Sequence, residues 1–239
     1  MIEKNNISVV MSYHDLDIVN FKVMFEQLTK ISHNIYPLNN NYHTTQTLID
    51  LRSKYNYSGV VFDEFNSQAY FAENISDTNE YIYHTHYRRY MDMDSVNLNI
   101  NEVYLVGSDA SVKTLLKVIF EDNVGLVYND DVLNKVKTCF AQAMNIGEEY
   151  VSEVFDSEQP TPVREMFICH KGLYRQMVGC TYKFIDLFCS SFDESVLNKN
   201  RIVGYMIELF EGFFFKVMNM IGCVTISYIP NVYLKKEIE

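Results

Sequence analysis

Asp63 closes the apolar run in VVFDEF, Asp15 and Asp17 follow ISVVM in SYHDLD, and Ser108 follows the apolar run in YLVGSD. If each run is a strand of a parallel sheet, all four residues emerge at its carboxyl edge, where open α/β sheets bind ligands. The expected product is an acidic pocket of Asp15, Asp17 and Asp63 with the Ser108 hydroxyl beside it. A second group lies in HTHYRRY, where His84 and His86 stand two residues apart and would share one face of a strand. A metal there would need a third ligand, from Asp92, Asp94 or elsewhere. Arg88 and Arg89 among Tyr83, Tyr87 and Tyr90 could instead hold a nucleotide or a phosphate, and the plain alternative is a solvated segment whose tyrosines pack on the sheet. The third group is Asn198, Lys199, Asn200, Arg201 and Tyr205, near the start or exposed side of a helix that buries Val203, Met206, Ile207 and Phe210. These residue types reach base edges and phosphates, and Lys216 follows on the next element. The chain has no P-loop, GxGxxG, HExxH or GxSxG.

These residues need a regular scaffold, and the first 150 alternate short apolar runs with helix-period segments. Ile7 to Met11 reads as a strand, and Asp17 to Lys30 as a helix with Ile18, Phe21, Phe25 and Leu28 at spacings of three and four. A short strand near Asn34 to Pro37 leads through a polar loop to TQTLIDLRSKY, a helix capped by Thr44 or Thr45. Ser58 to Phe62 reads as a buried strand. Residues 64 to 101 mix aromatic and polar side chains without a clean period and are assigned one helix. Then EVYLVG, ASVKTLLKVIFED, NVGLVYN and DVLNKVKTCFAQAM alternate strand and helix, completing an α/β domain of (βα)5 type with helices on both faces of a parallel sheet. Residues 151 to 164, rich in acids and holding two prolines, read as an acidic linker. Beyond it come helical segments around Glu165 to Val178, Tyr182 to Ser190 and Asp193 to Glu211. GFFFKVM and CVTISYIP then read as two strands turned at Gly222.

On these residues the first 150 positions resemble the receiver domain of bacterial response regulators. The resemblance implies that Asp63 stands at the phosphoacceptor position, Asp15 and Asp17 at the acidic pair, and Ser108 at the switch hydroxyl. The fifth expected strand ends in Val127, Tyr128 and Asn129, with no lysine where that family keeps one, so the resemblance is to a degenerate receiver acting through dimerisation or another ligand. The segment from 165 to 239 resembles a winged helix-turn-helix, with Leu209, Gly212, Phe213 to Met218, Gly222 and Val224 to Ile229 in the places of helix end, strand, turn and strand. That resemblance implies DNA contacts from Asn198, Lys199, Asn200, Arg201, Tyr205 and Lys216. VVMSYHDLD also resembles the first box of TIR domains, which would make Glu73 in NSQAYFAEN the residue of an NAD-cleaving enzyme.

The 239 residues are 48% hydrophobic and 21% charged, which excludes a disordered chain. The net charge of −11 is uneven: residues 1 to 150 hold 11 basic against 20 acidic side chains, while 164 to 236 hold 9 against 6. Five cysteines without CxxC spacing read as reduced core residues. No apolar run is long enough to cross a membrane and no secretory leader is visible, so a cytoplasmic location is expected. The combined expectation is a DNA-binding transcription regulator, homodimeric, bound to double-stranded DNA, not an enzyme, and with no cofactor or resident metal. The alternatives are a protein-interaction module without DNA binding and the TIR-like enzyme.

Overall fold

Ile7, Val9 and Met11 alternate with Ser8, Val10 and Ser12, and all six are buried, so β1 (Ile7–Tyr13) is a strand covered on both faces. In the computed structural model, which describes residues 6–14, 18–76, 78–86, 89–93, 96–106, 110–161 and 166–233, it lies inside a six-stranded sheet. The other strands are β2 (Asn34–Asn39), β3 (Tyr81–His86), β5 (Glu102–Leu105), β6 (Phe167–His170) and β7 (Thr225–Tyr228), in the order β2-β1-β3-β6-β5-β7. β6 runs antiparallel to both neighbours, while every other pairing in the sheet is parallel. The carboxyl ends of β1, β2, β3, β5 and β7 therefore share one edge. β4 (Arg89–Met91) and β8 (Asn231–Tyr233) form a separate antiparallel pair.

Period-two alternation splits the core into two layers. Ile7, Val9, Met11, Tyr81, Tyr83 and Tyr104 meet Met24 and Leu28 of α1 (Ile18–Ile31) on one face. Val10, Ile82, Val103, Leu105, Phe167 and Cys169 face the larger layer. That layer holds α2 (Gln46–Lys54), α3 (Phe65–Asn74), α4 (Val112–Val118), α5 (Asp130–Met144), α6 (Glu148–Asp156), α7 (Lys171–Ser191) and α9 (Ile202–Met220), with the short α8 (Glu194–Leu197) leading into α9. Side-chain caps start several helices where the sequence places them: Thr45 Oγ1 accepts from the Leu48 N–H, Ser111 from Thr114 and Asn129 from Val132. Phe140 of α5 is the hub of the larger layer, with ring centroids 4.6 to 5.6 Å from Phe155, Phe184, Phe210 and Phe213.

The α/β class is as expected, but the (βα)5 order and the winged helix-turn-helix are not formed. GFFFKVM is the second half of α9, a 19-residue helix with 15 buried residues, rather than the first strand of a hairpin. Apolar side chains on every side of this segment suit a helix enclosed by others, and a continuous apolar run carries no period to separate that from a strand. Gly222, at φ +75°, turns the chain out of α9 toward β7. β7 then joins the main sheet and β8 joins β4, so the two do not form a wing. Ser58 to Phe62 and Val124 to Tyr128 are not strands, although Val60, Phe62 and Val124 are buried. The 64 to 101 segment holds the one helix expected there, α3, and also β3, a strand at the middle of the sheet, and β4, neither of which was expected.

The expected division at an acidic linker is also replaced. Residues 148–156 form α6, which buries Val151, Val154 and Phe155, and β6 and β7 from the carboxy-terminal segment complete the amino-terminal sheet. No disulfide occurs: Cys139, Cys169 and Cys189 are buried, Cys180 is half-buried, and Cys223 is exposed rather than in the core. Among the described residues no helix is long and apolar enough to cross a membrane.

Candidate active site

Five polar elements meet beyond the carboxyl ends of β1, β2 and β3. β1 delivers Ser12, on the face that carries Val10, and His14 follows just beyond its end. Ser12 Oγ shares a 2.8 Å hydrogen bond with Nε2 of His84, a fully buried imidazole stacked on Phe167. Two residues along β3, His86 lies on the same face as His84, as the His-x-His spacing predicts. The two imidazoles do not converge on one ion: His84 turns to Ser12, and His86 Nε2 lies 3.5 Å from Glu64 Oε1. His14 Nε2 approaches the same Glu64 oxygen from β1, at 3.7 Å. Glu64, at the amino terminus of α3, thus stands between two strand-end histidines and leaves only 14% of its side chain exposed.

Asp63 reaches this edge from a loop and not from a strand end. Its φ is +44°, a left-handed conformation that aspartate tolerates better than most residues and that clusters at functional sites. Its carboxylate Oδ2 accepts from Arg201 Nε at 3.0 Å and lies 2.8 Å from Arg201 Nη2. Arg201, which caps α9, is also left-handed at φ +52°. Two glycines permit the approach. A Cβ on Gly204 would lie 2.0 Å from Asp63 Oδ2, and one on Gly59 would lie 2.0 Å from the Lys199 carbonyl oxygen. The Gly59 N–H donates to the Leu197 carbonyl at 2.9 Å, so the 59–63 loop is stitched onto the α8–α9 junction.

Glu208 and Glu211 extend the group along α9, on the face that also carries Gly204. Gln68 Nε2 donates to Glu211 Oε2 at 3.1 Å, while Gln68 Oε1 and Glu211 Oε1, both buried, have no hydrogen-bond partner. One proton on Glu211 Oε1, donated to Gln68 Oε1, would satisfy both atoms and close a reciprocal acid–amide pair. Burial pushes Glu211 up to about 8, reinforced by the charge of Glu208. Burial raises Glu208 as well, with Glu64 and Asp63 adding repulsion and Arg201 and Arg89 opposing it. Asp63 is raised by burial against the pull of Arg201, and His14 is raised by its hydrogen bond to Glu64 against the effect of burial. Upward shifts of several groups, gathered at a sheet edge, are a pattern that acid–base sites share.

His14, Asp63 and Glu64 each present a ligand atom within 4.8 Å of the others, so they could contact a cation together. Asp63 Oδ2 is already engaged by the Arg201 guanidinium, and an ion there would compete with that positive group. Nearby polar side chains support the edge: Asn39 Nδ2 donates to the His14 carbonyl at 2.9 Å, Asn40 Nδ2 lies 3.3 Å from His14 Nε2, and Ser67 Oγ donates to Asn40 Oδ1.

Of the residues singled out by sequence, Asp63 and Arg201 are brought together, as one ion pair. Asp15, Asp17 and Ser108, and with them Arg88 and Asp94, lie outside the described residues. Asn198 accepts from the Ser58 N–H and Ser58 Oγ, Lys199 supplies its carbonyl to the close approach at Gly59, and Asn200 is exposed in the turn before α9. The Tyr205 ring lies under the Arg201 guanidinium at 5.3 Å. Lys216 is buried and donates to the Gln159 carbonyl at 2.9 Å. Glu73 accepts from Tyr182 Oη in the last turn of α3, about 13 Å along the helix from Glu64, so it is no part of this group. Sequence reasoning missed His14, Glu64, Gln68, Glu208 and Glu211. Two glutamates three apart in a predominantly apolar helix were the available signal, because such charges are buried only for a reason.

No known protein family and no curated protein matches this sequence. Among solved structures, the fold is similar to that of the WbbM bifunctional glycosyltransferase in its apo form, with a TM-score of 0.61 and 10% identity. The likeness covers 97% of this chain and 46% of that one, so the chain spans less than half of the similar structure. At this identity the shared fold is what the likeness establishes. It overturns the expectation of a DNA-binding transcription regulator that is not an enzyme, since the fold is one that an enzyme uses and the helix meant to read DNA lies in the core.

Proposed function

We propose that this chain is a glycosyltransferase whose reaction takes place at the carboxyl edge of β1 and β3. The observation that carries the reading is the convergence of His14, His86, Glu64, Asp63, Arg201 and Glu208 at that edge of a fold shared with a glycosyltransferase. Glycosyl transfer forms a bond between an acceptor hydroxyl oxygen and the anomeric carbon, breaks the bond from that carbon to the leaving group, and hands the hydroxyl proton to a base. Glu208, raised toward neutral pH and part-exposed on the α9 wall, suits the base. The charge left on a departing phosphate faces Arg201 and the imidazole of His14, whose proton Glu64 helps to hold. Asp63 fixes the Arg201 guanidinium, and the histidines fix Glu64.

The test is a panel of nucleotide sugars incubated with the purified chain, reading nucleotide release and product mass, alongside calorimetric binding. The expected result is release with at least one donor, lowered by about 10²-fold or more in Glu64→Gln and Glu208→Gln, the usual range for removing a positioned acid–base group. A well-folded chain that neither binds nor cleaves any sugar nucleotide overturns the reading.

A further inference from the structure

Away from this edge, α9 carries Lys216, eight residues beyond Glu208 and so about 12 Å further along the helix. Lys216 is 8% exposed, and its ammonium group donates to the Gln159 carbonyl at 2.9 Å and to Thr161 Oγ1 at 3.3 Å. Both partners are neutral, and no carboxylate lies within ion-pair distance of it among the described residues. An ammonium has three protons, so one donor remains after these two bonds. A cation held away from water without a counter-charge is unfavourable, and burial accordingly lowers the Lys216 pKa.

The same residue lines a cavity of about 450 Å³ between α6, the 157–159 segment, the end of α9 and β7. Ser157 and Asn219 line it with groups able to donate hydrogen bonds, Tyr228 with a hydroxyl whose proton goes to the Pro160 carbonyl, and Val154, Met220 and Ile226 with apolar surface. The carboxylate among its lining residues is Glu153, which is exposed. A cavity of this size accommodates a small molecule, and a lysine acts there as a point charge for an oxyanion.

We propose that this cavity is a second ligand site, separate from the sheet edge, which binds a small molecule through a compact oxyanion head group, phosphate or carboxylate, seated on Lys216. The anion supplies the missing counter-charge and accepts a hydrogen bond from the third ammonium proton, with the Asn219 and Ser157 donors around it.

The test is thermal unfolding with inorganic phosphate or malonate against chloride at matched ionic strength, with calorimetric titration of the same anions. Each tenfold rise in a binding anion above its Kd should lift Tm by about 3–5 °C. A response to phosphate alone or to malonate alone identifies the head group, and either supports the site. The effect should vanish in Lys216→Met and persist in Glu64→Gln, which lies at the other site. Asn219→Asp, at an exposed position one turn along α9, places a carboxylate beside the ammonium and should weaken binding by about tenfold or more, an independent reading should Lys216→Met not fold. A folded wild-type chain that responds to neither anion, or an equal response in Lys216→Met or Asn219→Asp, overturns the proposal.

Discussion

Replacing Glu211 by Gln tests whether the core of this protein holds a carboxylic acid at neutral pH. Gln68 donates one hydrogen bond to Glu211, and the two remaining oxygens of the pair are matched by a single proton. Glu208 on the same helix, Glu64 from α3, Cys169 from β6 and Tyr174 from α7 face Glu211, and each makes its ionisation less favourable or is itself neutral. Because the folded pKa lies above the unfolded one, the folded chain keeps a proton that the unfolded chain releases. The stabilisation is complete below the unfolded glutamate pKa and is lost as pH rises toward about 8. One proton gives a slope of about 1.4 kcal/mol per pH unit, so the Glu211 proton alone should account for a loss of about 3 kcal/mol between about pH 5.5 and about pH 7.5, on top of the loss that Glu208 brings.

Glutamine at 211 offers the donor and the acceptor that the protonated acid offers, without needing a proton. Glu211→Gln should therefore be as stable as the wild type in mild acid and more stable above neutrality, with Tm higher by about 6–12 °C at the alkaline end. Glu208 still titrates in the variant, so the slope shrinks by one proton and does not vanish. Urea unfolding followed by circular dichroism across this range gives both slopes. Equal slopes in the two proteins, with the variant less stable throughout, would refute the neutral acid and require an ionised Glu211.

Arg201→Met removes the counter-charge of a 4% exposed Asp63 side chain; since Arg201 is itself 39% exposed, the loss should be about 2 kcal/mol at neutral pH, shrinking in mild acid as Asp63 takes up a proton, as denaturant titration at both pH values will read. Gly59→Ala forces a methyl group against the Lys199 and Leu197 carbonyl oxygens and should cost about 2–3 kcal/mol by the same measurement, whereas Gly179→Ala, in open space on α7, should be neutral or stabilising. Phe140→Ala removes the ring that four other phenylalanines contact and should cost about 3–5 kcal/mol; a loss under about 1 kcal/mol would show that the α5 layer repacks freely.

Where a helix has one wet face, its period was readable: α2 and α5 emerge close to where their spacing and caps put them. β1 was equally plain because its apolar run is short and bounded. α9 was misread because it has no wet face over Phe213 to Met218, and a run without contrast carries no period. β3 was overlooked for a related reason: YIYHTH is buried on both faces but builds one of them from tyrosine and the other from isoleucine and histidine, so hydropathy does not alternate. At the candidate site, Asp63 stood out as the end of an apolar run, yet the structure brings it to the edge through a left-handed loop. Its partner Arg201 lies 138 residues away, and a contact at that separation leaves no local trace in either segment.

The reversed strand β6 sets the order in which this molecule can come into being. During synthesis, β1, β2 and β3 leave the ribosome early and can pair among themselves, but β3 keeps an open edge until residues 167–170 arrive to fill the gap beside β5. The carboxyl edge waits longer still, since Asp63 finds its cation only after Arg201 emerges. Contacts this distant in sequence make folding slow and leave an unpaired, tyrosine-rich strand exposed meanwhile, a template for aggregation. A nascent chain of this design gains from a chaperone's cover over its first two thirds, and a truncated one is a liability to the cell before it is of any use.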